Sequence, residues 1–223
     1  MEVFLFYFLL FMIYSFIGWI IDVTSALMEN PKLINRGFLI GPYCPIYGVS
    51  SIIMIFYLSQ YKDNIFTVFL LAILICSFIE YLTGYLMEKL FNARWWDYSK
   101  HKFHLNGRVC LSNAIIFATA GVILVCFLNP FLTTLIKSLP ILVINIISII
   151  LLIVFVIDLA LSFNITYKIT RTAKNVVSDS TEEISKAVKE ILGKKLFQRR
   201  IFEAFPKFEF IDNIKKRINP KND

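Results

Sequence analysis

The chain has 223 residues, a formal net charge of +7 and a pI near 9.2, with 57% hydrophobic and only 17% charged residues. Mean hydropathy is +0.68 and the apolar residues gather into blocks about as long as a bilayer is thick, which excludes a soluble globular domain and predicts an all-α integral membrane protein. The basic residues lie between and after those blocks, where they orient helices, so the lipid bilayer is the expected partner and nucleic acid is not.

Five apolar blocks follow one another at about 3–21, 43–61, 65–87, 109–128 and 141–167, each close to the ~20 residues that cross hydrocarbon. Together they predict a five-helix transmembrane bundle over 1–170, followed by a basic tail over 171–223. The first block follows Glu2 and ends at Asp22 with no small-residue cleavage pattern, so it is expected to stay in the mature chain. Five crossings put 21 Lys and Arg residues on one side of the membrane and 2 on the other. By the positive-inside rule the N-terminus lies outside and the C-terminus in the cytoplasm of a multi-pass protein of the cell membrane.

Between the first two blocks runs NRGFLIGPYCPIYGVS, apolar from Gly37 onward but interrupted by Gly37, Gly41, Pro42, Pro45 and Gly48. Proline removes a backbone donor and glycine weakens helix, so this stretch is not expected to be regular helix. Two readings stay open. Either it is irregular backbone at membrane depth, buried in protein or lining a cavity, or it is a cytoplasmic loop with a proline-rich helix entry. Arg36 offers a cation at its start.

In the third block Glu80, Gly84 and Glu88 recur every four residues and share one helix face, with Tyr81 and Tyr85 on the next stripe. With a boundary near Glu88, Glu80 lies ~12 Å deeper, where a carboxylate must be paired, protonated or wet. Asp158 in the fifth block sits at a comparable depth of ~13 Å, and Asn113 lies one turn into the fourth. These positions predict a polar cavity opening inward, with Arg36 and Arg108 as countercharges. The alternative is a set of interhelical hydrogen bonds holding the bundle together.

The loop before the fourth block holds Trp95, Trp96 and Tyr98, whose expected place is the interfacial aromatic belt. Asp97 is a further polar candidate there. Asn106 followed by Gly107 predicts a tight turn that delivers Arg108 to the mouth of the fourth helix. His101 and His104 lack a ligand set and the cysteines Cys44, Cys76, Cys110 and Cys126 lack CxxC spacing, so no metal and no cofactor is expected. In the tail, Ser180 and Glu183 form a capping box before helically spaced apolar residues, and five phenylalanines are interleaved with the basic residues. This predicts a cytoplasmic amphipathic helix lying on the anionic inner leaflet or on a partner protein.

The stretches RGFLIGPYCPIYG from Arg36, EYLTGYLMEKLFNARWWDYS from Glu80 and NGRVCLSNA from Asn106 resemble the putative ABC-transporter type IV, or CmpB-like, membrane proteins, over about the first 130 residues. The resemblance implies a permease. The chain carries no G-x-x-x-x-G-K-[ST], so ATP hydrolysis would need a separate subunit. The leading expectation is thus a non-enzymatic, permease-like transporter component using Glu80, Asp158 and Arg108. Two alternatives are a membrane-embedded enzyme acting on lipid or a lipid-linked substrate, with Glu80 or Asp97 as acid/base, and a non-catalytic assembly or regulatory subunit. A homo-oligomer is compatible with each.

Overall fold

In the computed structural model the described residues are 2–29, 37–91 and 94–178, with side chains as far as Lys168. They form α1 (Glu2–Glu29), α2 (Pro45–Leu58), a 3₁₀ turn (Ser59–Tyr61), α3 (Ile65–Phe91), strands β1 (His104–Leu105) and β2 (Val109–Cys110), α4 (Leu111–Ile123), a π-helical turn (Leu124–Leu128), α5 (Asn129–Lys137) and α6 (Ile141–Ser178). The described residues make an all-α membrane protein apart from one two-stranded hairpin. Arg36 and the tail beyond Ser178, with its expected amphipathic helix, lie outside the described residues.

Among the described residues, four helices are long and apolar enough to cross a bilayer: Glu2–Met28, Ile65–Phe91, Leu111–Lys137 and Ile141–Lys168. The block expected to span 43–61 gives only the 14-residue α2 and the short 3₁₀ turn. Its start is set by Pro45, whose ring suits the first turn of a helix, after Cys44 in extended conformation. The fourth block, expected to end near Leu128, continues to Lys137. Pro130 cannot donate to the carbonyl four residues back, and the π-helical turn lies just ahead of it, so the rod absorbs the proline instead of ending there.

Helices α1 and α2 run antiparallel in close contact: a Cβ on Gly18 would strike Tyr47, one on Gly48 would strike Ser15 and the Phe11 backbone, and the Tyr7 and Phe56 rings lie 4.7 Å apart. Without a hydrophobic drive between helices in lipid, approach at small residues supplies the packing. The Cys44 N–H donates to the Ser15 carbonyl at 2.9 Å, so α2 begins beside the middle of α1 and not at its end. Residues 37–44 therefore lie along α1. Leu39 and Tyr43 within it are buried against Phe8 and Met12 of α1, with Phe155 of α6 packed alongside. Leu10, Leu58, Val68, Ala72, Ala118 and Val125 form the main core where α1 to α4 and the π-helical turn meet.

Candidate functional site

The loop from Arg94 to Cys110 is folded by its turn chemistry. Asn106 and Gly107 both take positive φ, 52° and 70°, and the Arg108 N–H donates to the Leu105 carbonyl at 3.0 Å. The turn leaves Asn106, Gly107 and Arg108 between the strands and pairs His104 with Cys110 and Leu105 with Val109 in antiparallel register. His104 Nδ1 accepts from the Gly107 N–H at 3.1 Å, which gives this histidine a role in the turn. The Tyr98 N–H donates to the Gly107 carbonyl at 2.8 Å and the Trp96 indole N–H to the Arg108 carbonyl at 2.8 Å. A Cβ on Gly84 would stand 3.3 Å from Trp96, so the small residue lets the loop settle directly onto α3.

The hairpin thereby carries Tyr98 down to Glu80. The Tyr98 hydroxyl donates to Glu80 Oε1 at 2.9 Å and accepts from the Asn113 side-chain amide at 2.7 Å. Glu80 is 5% exposed, and its second oxygen, Oε2, has no hydrogen-bond partner among the described residues. Burial, followed by the neighbouring Glu80 carboxylate, pushes the Tyr98 hydroxyl far above its ordinary pKa, so the phenol stays a donor. A carboxylate held by one donor on one side and open on the other can bind a proton or a cationic or hydrogen-bonding group without rearranging its surroundings.

Above this centre lies an ionic layer. Arg108 donates to Glu88 Oε2 at 2.7 Å and its guanidinium stands 5.4 Å from the Tyr81 ring centre and 5.7 Å from that of Tyr85. Arg94 pairs with the same Glu88 carboxylate at 3.2 Å. Asp97 accepts from the Ser99 hydroxyl and backbone N–H, which, with the Arg94 charge, hold its carboxyl below the usual pKa. Trp95 packs against Phe91 and Phe38, with ring centres at 5.5 and 6.0 Å.

Asp158 belongs to a second cluster. Its carboxylate accepts from the Ile40 N–H at 2.9 Å, the Gly41 N–H at 2.7 Å, the Tyr43 hydroxyl at 2.5 Å and the Ser162 hydroxyl at 2.8 Å. It is the acceptor that irregular backbone needs when no water is at hand. Asp22 is reached by the Tyr47 hydroxyl at 2.5 Å.

Of the residues singled out in the sequence, Glu80 and Asn113 are thus brought together, Arg108 goes to Glu88, and Asp158 shares no partner with Glu80 among the described residues. Tyr98, Tyr43 and Tyr47 were not singled out as ligands of these carboxylates. Their signal is that a tyrosine near an apolar block must find a partner for its hydroxyl once buried.

A family model described as Putative ABC-transporter type IV matches residues 9–163. The chain belongs to that family. The match runs from α1 through most of α6, so this ABC-transporter type IV protein carries the family pattern past residue 130 and across Asp158. It includes the segment 37–44, the hairpin and the Glu80 centre. No curated protein and no solved structure matched the chain.

Proposed function

We propose that the protein is the membrane-embedded, permease-like component of a transporter in the cell membrane, with its ATPase on a separate subunit. The reading rests above all on Glu80: a buried carboxylate inside a membrane-spanning helix with one oxygen left open. A purely structural carboxylate has its oxygens filled, as Asp158 does. An intramembrane ionisable group without that satisfaction is kept at a cost of at least ~2.5 kcal/mol, which points to use. Glu80, Tyr98 and Asn113 form the recognition centre for a small polar or amphiphilic cargo, reached from the cytoplasm. Arg108 and Glu88 stand at its entrance.

The topology fits five crossings. Helices α1 and α3 run the same way because α2 packs antiparallel to α1 and the tight turn 62–64 returns the chain into α3, so α2 with its 3₁₀ turn acts as the short crossing. Its 17 residues cover ~25 Å. With five crossings the charge count favours an N-terminus outside and the hairpin in the cytoplasm.

The test is flux of candidate cargo into proteoliposomes holding the full chain and any co-purifying ATPase. Glu80→Gln keeps an acceptor for Tyr98 but removes the carboxylate, and is expected to abolish flux with thermal stability unchanged or raised. Full flux in Glu80→Gln would overturn the assignment of the centre.

A further inference from the structure

At the end of the bundle opposite the Glu80 centre lies a cavity of about 310 Å³ between α1, α2 and α5. Its lining divides by chemistry. Leu10 and Ile55, both buried, form the floor, and the rings of Phe6, Tyr7 and Phe56 form a wall in which Tyr7 and Phe56 lie 4.7 Å apart, tilted by 32°. The other side is polar, with Ser59, Asn129, Thr133 and Lys137. Asn129 Oδ1 accepts from the Tyr14 hydroxyl at 2.9 Å and from the Thr133 hydroxyl at 3.4 Å, which fixes the amide with its NH₂ turned away from them. Lys137 closes α5 at the rim, where it is exposed, and it enters no ion pair among the described residues.

We infer that this groove is a binding site for an anionic phospholipid, with the phosphate on Lys137 and one acyl chain along Phe6, Tyr7, Leu10 and Phe56. The size fits one chain and not a whole lipid, since the volume lies at the low end of ligand pockets, about 300–1,000 Å³. Position decides the occupant. Phe56 is 59% exposed beside a membrane-spanning helix, so the groove opens toward hydrocarbon, and a water-borne polar solute would leave its aromatic wall unused. Charge decides the headgroup. Among the described residues the lysines at this end are Lys62 and Lys137, and of these only Lys137 lines the groove, while the acidic Glu2 and Asp63 at the same end do not line it. Chains leave lipid for protein with little gain, because tails are as apolar as leucine. Selectivity therefore lies in the phosphate and its lysine, since the Ser59 hydroxyl donates to the Ile55 carbonyl at 2.6 Å and the Thr133 hydroxyl to Asn129. The site stands whether or not the transport reading does; only the leaflet it faces follows from the orientation proposed above.

The experiment adds phosphatidylglycerol or phosphatidylcholine to the delipidated full chain in detergent and counts retained lipid by native mass spectrometry. The native protein should retain phosphatidylglycerol about tenfold over phosphatidylcholine, the scale of one charge-assisted contact. Lys137→Gln should erase that preference and Lys62→Gln should keep it. Thr133→Phe, which fills the groove and leaves the charge, should lower phosphatidylglycerol retention to the Lys137→Gln level, with thermal melting confirming that each variant folds. Equal loss in Lys62→Gln and Lys137→Gln, or retention in Thr133→Phe, would overturn the site, because diffuse charge would then explain the binding.

Discussion

Asp158→Asn offers the sharpest test of how the segment 37–44 is held. In the native protein each carboxylate oxygen serves one backbone N–H and one hydroxyl: Oδ1 takes Ile40 and Ser162, Oδ2 takes Gly41 and Tyr43. Asparagine keeps one oxygen and turns the other into an NH₂. The hydroxyl on that side can rotate and accept, but the backbone N–H cannot. One buried donor then faces another donor, at ~1–3 kcal/mol, and the surviving bonds lose their charge assistance, so the segment is released by about 2–4 kcal/mol. That is a ~30- to 1,000-fold rise in its open population. Cys44 ends the segment and reports the opening through its labelling by a membrane-permeant maleimide, read by peptide mass spectrometry. Cys76, buried in α3, reports global unfolding in the same experiment. Faster labelling at Cys44 with Cys76 unchanged is expected. Cys44 labelling within threefold of the native rate in Asp158→Asn would show that the carboxylate does not hold the segment.

Gly107→Ala should lower the melting temperature by the equivalent of about 1–2 kcal/mol, since φ of 70° is strained for alanine and its Cβ would press on Asp97 Oδ1 and Ser99 Oγ; an unchanged melt would mean the turn is not built as described. Gly48→Ala pushes α2 off Ser15 and the Phe11 backbone and should cost about 1–3 kcal/mol in a detergent unfolding titration, while Gly84→Ala, with more room, should cost less. Arg108→Lys keeps the charge but loses the guanidinium held over the Tyr81 and Tyr85 rings, and a destabilisation of about 1 kcal/mol is expected, visible as faster proteolysis of the hairpin. Tyr98→Phe strips Glu80 and Asn113 of their shared hydroxyl and should perturb flux as well as stability, which distinguishes it from Arg108→Lys.

The long helices were legible because crossing hydrocarbon demands a composition that a sequence cannot hide, and the Asn106–Gly107 turn because few residue pairs tolerate two positive φ values. Helix ends were less legible. The extension of the fourth block to Lys137 depends on a π-helical turn that accommodates Pro130, where proline reads locally as a stop. The pairing of side chains was hidden for a different reason. Depth along a helix can be counted from the sequence, so Glu80 and Asp158 were both placed within the membrane, but azimuth and the path of a loop cannot. Glu80 meets a tyrosine 18 residues on, through the hairpin, and Asp158 meets backbone 118 residues earlier. Tyr98 read as one more interfacial aromatic because its descent toward α3 depends on Gly84 and the loop together.

The span between Asp158 and the backbone it secures has a consequence for biogenesis. The segment 37–44 must wait for α6 before its Ile40 and Gly41 amides find their acceptor. Until then those groups depend on water or on the insertion machinery. A nascent chain stopped short of residue 158 would carry the earlier helices yet present an unseated segment, a natural handle for quality-control proteases that sample half-built membrane proteins.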